Sequence, residues 1–162
     1  HGVGKTHVAA KAVLWFTTCM RPAKVPTTAP TWGLVEKNLW SEIRAAHSKA
    51  RVWLGGDMIL TQWTLGEDHF AFGTSPKVEL GEGDKGVRMQ GIHATNVLVV
   101  FDEAPGVHPA LWEAKEGIVS SGHARFLAIG NQVSASGPFW KAWNSAGAHK
   151  ISMGIFDSPN FK

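Results

Sequence analysis

The chain has 162 residues, 44% hydrophobic and 18% charged, with a net charge of +3. That length and balance fit one globular domain with a sizeable core and exclude a disordered chain; the small positive charge permits a polyanionic partner without arguing for one. One cysteine, Cys19, excludes an intrachain disulfide and points to a reducing compartment, and no apolar run approaches the roughly 20 residues of a membrane span.

The chain opens with His1-Gly2-Val3-Gly4-Lys5-Thr6, ending in Gly-Lys-Thr and running straight into an apolar, helix-like segment. In a P-loop, backbone N–H groups cradle phosphate oxygens, the Lys reaches the β- and γ-phosphates, and the Ser or Thr hydroxyl ligates Mg²⁺. A following helix adds the partial positive charge of its N-terminus. The full pattern needs a glycine two residues upstream of His1, and the strand that delivers the loop would also lie upstream. The chain is therefore expected to be a fragment whose first strand is missing.

Lys5 to Met20 is expected to be a helix with Val8, Ala12, Trp15 or Phe16, and Cys19 on one face and Ala9 and Val13 beside them. Apolar on most sides, it reads as a buried helix with Cys19 in the core. Ala23 to Ala29 reads as a short strand. From Thr31, a plausible N-cap, the stripe Trp32, Val35, Leu39, Ile43 and Ala46 predicts a second helix. Its basic end (Arg44, His47, Lys49, Arg51) suits either the helix dipole or a DNA contact. Met58 to Leu65 and His69 to Gly73 look like weaker strands at the periphery of a sheet. Ser75 to Gly91, rich in glycine and charge, reads as a solvated loop or as a loop beside nucleotide or partner, with Arg88 its residue of most interest.

The stretch that organises the rest is Val97-Leu98-Val99-Val100-Phe101-Asp102-Glu103-Ala104. Five apolar residues rich in β-branched types predict a strand buried on both faces. Two carboxylates follow where that strand leaves the carboxyl edge of the sheet, the edge where open α/β sheets bind ligands. Neighbouring strand residues point in opposite directions, so one carboxylate can hold a metal while the other faces a reacting water. Pro109 and Gly122 frame a helix with Leu111, Ala114, Lys115 and Ile118 on one side. Arg125 to Asn131 is a second short apolar strand with a polar tip. Residues 137 to 147 predict a short helix and Lys150 to Phe156 a last strand. Strands alternating with helices mean an α/β fold with a mostly parallel central sheet flanked by helices.

Placed together, these parts predict an NTPase. Gly2, Val3, Gly4 and Lys5 hold phosphates; Thr6 and Asp102 hold Mg²⁺; Glu103 polarises the attacking water; Asn131 senses the γ-phosphate. The eight histidines lack metal-ligand spacing and read as structural or surface residues.

The combination of Gly-Val-Gly-Lys-Thr-His, Thr-Ala-Pro-Thr-Trp (28–32) before Val-Glu-Lys-Asn-Leu-Trp-Ser-Glu-Ile-Arg (35–44), Met-Gln-Gly-Ile-His-Ala (89–94), Val-Val-Phe-Asp-Glu-Ala (99–104) and Ala-Ile-Gly-Asn (128–131) with Ser-Gly-Pro-Phe-Trp (136–140) resembles the large subunit of tailed-phage terminases. The resemblance runs across nearly the whole chain and covers the ATPase part of that family. It implies that Gly2 to Thr6 is the Walker A loop, Asp102 the Walker B metal ligand, Glu103 the catalytic glutamate, and Asn131 part of a motif coupling ATP hydrolysis to DNA movement. The family usually follows that Asn with Pro, where this chain has Gln132. Arg88 sits where some members carry a trans-acting arginine finger. The resemblance further implies a single P-loop ATPase domain over residues 1–162, a nuclease domain beyond Lys162, double-stranded DNA, a portal protein and the small terminase subunit as partners, a homo-oligomeric ring, no membrane association, and the cytoplasm of a bacterial host as the location.

Two other readings are open on the sequence. Asp-Glu-Ala-Pro (102–105) approaches the Asp-Glu-Ala-Asp box of superfamily 2 helicases, which would require a second motor domain. A catalytically silent, prophage-derived fragment is the other.

Overall fold

In the computed structural model, residues 4–75, 92, 94–119 and 122–157 are described. They form a mixed α/β fold: a six-stranded sheet flanked by helices. Strand β1 (Ala23–Thr28), β2 (Asp57–Ile59), β3 (Gln62–Gly66), β4 (His69–Thr74), β5 (Asn96–Phe101) and β6 (His123–Ala128) lie in the spatial order β2-β3-β4-β1-β5-β6. β4, β1, β5 and β6 are mutually parallel, and β2 and β3 join antiparallel as a hairpin on the β4 side.

Strand alternation explains the layering. Leu98 and Val100 of β5 enter one core with Ala9, Val13 and Phe16 of helix α1 (Lys5–Cys19) and Ile43 of helix α3 (Trp40–Ser48). Val97, Val99 and Phe101 enter a second core with Leu111, Trp112 and Ile118 of helix α4 (Pro109–Val119) and Phe139 of helix α5 (Gly137–Trp143). Side chains of successive strand residues point to opposite faces, so a run with no polar residue needs apolar cover on both. Burying each such side chain contributes about 1.5–3 kcal/mol, which makes β5 the strand that both layers depend on. The α4 stripe of Leu111, Ala114, Lys115 and Ile118 is buried as its spacing predicts.

Between β1 and β2 the chain forms a short helix α2 (Trp32–Leu34), a π-helical turn over Val35–Leu39, and α3, without a break. Thr31 caps it, its hydroxyl accepting from the Leu34 N–H at 3.3 Å. Val35, Leu39 and Ile43 are buried as the stripe predicts, whereas Trp32 is exposed and Trp40 is fully buried. The π turn supplies the reason. Its hydrogen bonds step over five residues, the Trp40 N–H donating to the Val35 carbonyl, so Trp40 returns to the face that Val35 occupies. There its indole N–H donates to the Thr27 hydroxyl of β1 at 2.9 Å.

Three expectations are corrected. β4 lies inside the sheet, between β3 and β1; the hairpin shields its outer edge, so its short, glycine-containing sequence marks an interior strand. Residues 150–156 form no strand. Their described backbone ends in a 3₁₀ turn over Ile155–Asp157, where the Asp157 carboxylate accepts from the Gly154 N–H at 2.7 Å, a local side-chain bond of the kind that competes with sheet pairing. Finally, α1 buries Ala9, Ala10, Val13, Leu14, Phe16 and Thr17, while Val8, Trp15 and Cys19 are exposed. Its apolar residues nearly surround the helix, so periodicity does not select the buried face. No described helix is long and apolar enough to cross a membrane.

Candidate functional site

The parallel strands β1, β5 and β6 end at one rim of the sheet, and α1 begins there. β5 stops at Phe101 because the chain turns immediately. The Asp102 N–H still donates to the Thr28 carbonyl of β1 at 2.8 Å, and the Ala104 N–H donates to the Ile129 carbonyl beyond β6 at 2.9 Å. These bonds pin the Asp102-Glu103 turn between the tips of its two neighbouring strands. Glu103 takes a left-handed conformation, φ 47°, which is uncommon for a residue other than glycine. A 3₁₀ turn over Ala104–Gly106 follows.

The two carboxylates occupy different environments, as the sequence predicts, but the cause is this turn and not strand alternation. Asp102 is only 2% exposed, and Glu103 is half-buried. Asp102 accepts from the Glu103 N–H at 3.0 Å and from the Thr6 hydroxyl at 3.2 Å. Burial pushes its carboxyl above the ordinary value, against the opposing pull of those two hydrogen bonds and of Lys5; the neighbouring Glu103 charge adds to the rise. A carboxylate held where water solvates it poorly is a group whose charged form gains from a cation.

Lys5 and Thr6 come to this rim on the first turn of α1. Gly4 precedes them in the left-handed conformation, φ 78°, which glycine adopts without steric cost. The Lys5 ammonium donates to the Asn131 side-chain oxygen at 2.9 Å, across 126 residues of sequence. Thr6 reaches Asp102 across 96 residues. Lys5, Thr6, Asp102 and Asn131 are thus brought together, with Gly4 and Glu103 adjacent in the chain. Gly2, Val3 and Arg88 lie outside the described residues.

Asn131 is positioned by a contact that its own residue type does not announce. A Cβ on Gly130 would lie 2.3 Å from Cδ of Pro105, so only glycine lets the tip of β6 close on the turn after Glu103. The signal was present in Ile-Gly-Asn, a glycine between an apolar strand and a polar tip. A second contact, unforeseen from the sequence, joins α1 to α3: His7 Nδ1 lies 3.0 Å from the Glu42 carboxylate.

Among the described residues no group of three or more His, Cys, Asp or Glu side chains converges as a metal site would. The donors that do meet are the Thr6 hydroxyl and the Asp102 carboxylate. This pair suits Mg²⁺, which takes one or two carboxylates and completes its shell with waters and substrate phosphates.

The architecture is a mixed α/β fold with a mostly parallel sheet flanked by helices, consistent with a P-loop NTPase-like fold. No family model matches the chain, and no curated protein does. Among solved structures, the fold is similar to that of the large terminase from a thermophilic bacteriophage, with a TM-score of 0.59 and 18% sequence identity, over 80% of this chain and 31% of that one. The chain thus spans about a third of that protein's length, and the likeness is one of fold.

Proposed function

We propose that this chain is the ATPase motor part of a phage DNA-packaging terminase large subunit, coupling ATP hydrolysis to movement of double-stranded DNA into a procapsid. The observation that carries the reading is the pair of long-range contacts, Lys5 with Asn131 and Thr6 with Asp102, at the end of the sheet where α1 begins. A Lys and a Thr on consecutive residues at a helix start match phosphate and cation recognition. The terminase-like fold supports the same reading.

On this reading the Lys5 ammonium leaves the Asn131 oxygen to meet the β- and γ-phosphates, and the freed Asn131 amide faces the γ-phosphate. Thr6 and Asp102 hold Mg²⁺, which when bound supplies charge neutralisation on the phosphate oxygens. Glu103, in the turn directly after Asp102, orients the attacking water and accepts its proton. Phosphoryl transfer is catalysed mostly by positioning and electrostatics, and an arginine finger is worth about 10³–10⁵ in rate in small GTPases; Arg88 is the proposed finger, reaching a neighbouring subunit's site in a homo-oligomeric ring. The portal protein, the small terminase subunit and double-stranded DNA are the proposed partners, and the cytoplasm of an infected bacterium the proposed location. Contacts to the phosphate backbone would make the DNA grip sequence-tolerant and salt-sensitive.

Equilibrium binding of a fluorescent ATP analogue with Mg²⁺, to the wild-type chain and to Lys5→Ala, tests the assignment. Saturable Mg²⁺-dependent binding that the substitution weakens by at least about tenfold, or about 1.4 kcal/mol, is expected. Equal affinity for both proteins would remove Lys5 from the phosphate site and the motor reading with it.

A further inference from the structure

We propose that the cleft between α1 and α3 is a docking site for an acidic amphipathic helix of a partner protein. The cleft is an open groove of about 520 Å³. Its apolar lining comes from Leu14 and Trp15 on α1, Ala46 on α3, and Leu54 beyond. Trp15 is 57% exposed, an indole with an apolar face and a polar N–H, the residue type most enriched at interface hot spots. Lys11 on α1 and Lys49 just past α3 also line the cleft, and both are exposed.

Charge selects the occupant. None of the ten lining residues is a carboxylate, and the Glu42 carboxylate of α3 already faces the His7 imidazole at 3.0 Å. The positive character continues past the cleft, because residues 43–56 include Arg44, Lys49 and Arg51 and no Asp or Glu. An apolar trough flanked by cations complements a helix with an apolar stripe and acidic flanks. Shape agrees: the α1 lining runs from His7 to Cys19, about 18 Å at the α-helical rise, which takes the i, i+3/i+4, i+7 anchors of a helix laid in a groove. Duplex DNA is the weaker match, since phosphates gain from Lys11 and Lys49 but nothing from the apolar lining, and single strands bind best along several stacking aromatics, where this cleft offers one.

The test uses selection from a displayed library of 18-residue helical peptides against the whole chain. The chain's sole cysteine, Cys19 at the end of the cleft, serves as reporter. Selected peptides should share an apolar stripe flanked by Asp and Glu, lose at least about tenfold in affinity at about 0.5 M salt, and slow Cys19 alkylation at least about fivefold by burying it. The double substitution Lys11→Glu/Lys49→Glu should weaken them tenfold or more with an unchanged circular dichroism spectrum, and Trp15→Ala should do so independently of charge. Failure to enrich any peptide, enrichment without acidic flanks, equal binding to the double variant, or unchanged Cys19 reactivity would each overturn the proposal. So would better protection of Cys19 by single- or double-stranded DNA than by peptide, or a dimer in sedimentation whose Cys19 is already protected.

Discussion

At the amino ends of the parallel strands, polar side chains close onto backbone and onto one another. His69 accepts from the Ala23 N–H at 3.0 Å, the Asn96 amide donates to the Pro22 carbonyl at 2.9 Å, and His123 lies 3.0 Å from the Asn96 oxygen. At the carboxyl ends of the same strands, Lys5, Thr6, Asp102 and Asn131 meet side chain to side chain. The first set ties strands to their connections, and no ligand could replace those bonds without opening the sheet. The second set pairs a cation, a hydroxyl, a carboxylate and an amide whose partners can each be exchanged for a phosphate oxygen or a metal ion. One rim holds the sheet together; the other is suited to exchange.

Glu103→Gln gives the largest expected effect on that contrast. Positioned proton transfer contributes about 10²–10⁴ in rate, so ATP turnover should fall by that range while Mg²⁺-ATP affinity stays within about threefold. Steady-state hydrolysis beside equilibrium binding checks it, and full turnover would assign the base elsewhere. Gly130→Ala comes next. A methyl 2.3 Å from the Pro105 ring must push β6 from the turn after Glu103, costing about 1–3 kcal/mol in denaturant unfolding and weakening ATP binding through Asn131.

Asp102→Asn separates the two rims by sign. The folded protein holds the Asp102 proton more tightly than the unfolded chain, so wild-type stability from this group is lost as pH rises above the ordinary carboxyl value of 3.8. Removing the charge should therefore leave the ligand-free variant at least as stable as wild type at neutral pH, while abolishing the rise in Tm with Mg²⁺ and ATP. A variant that melts lower without ligand would mean that the carboxylate supports the fold. The smallest effect belongs to the amino rim. Burial lowers the His69 pKa below 6.5, and its Nε2 is buried without a hydrogen-bond partner. The unfolded chain then takes up the proton first, so this stability is complete above pH 6.5 and is lost as pH falls below it. His69→Gln should flatten that part of a pH–stability profile, and an unchanged slope would place the titration elsewhere.

Much of this architecture was legible because a few stretches permit one reading. Val97 to Phe101 has no polar side that could face water, and Lys5-Thr6, Asp102-Glu103 and Asn131 fall where an element starts or ends. The legible features were local patterns. What the sequence concealed depends on partners distant in the chain. β4 is interior only because a hairpin covers it, and Trp40 is core only because a π turn precedes it. The exposed face of α1 could not be told from the buried one, since Val8 and Trp15 are as apolar as Val13 and Phe16. Cys19, expected in the core, stands in the open for that reason.

The π turn at Val35–Leu39 holds one residue more than an α-helical path from Val35 to Trp40 needs. Lys37 and Asn38 are exposed, so many side chains should be tolerated there. Deleting either would let the turn relax to ordinary α-helix, in which Trp40 falls four residues after Val35 and keeps nearly the same face. Trp40 would stay on Thr27, and Ile43 on the sheet. A residue inserted there would instead rotate the remainder of that helix by about 100°, so single deletions between residues 35 and 39 should be far better tolerated than insertions, a bias that random-length mutagenesis of that turn would expose.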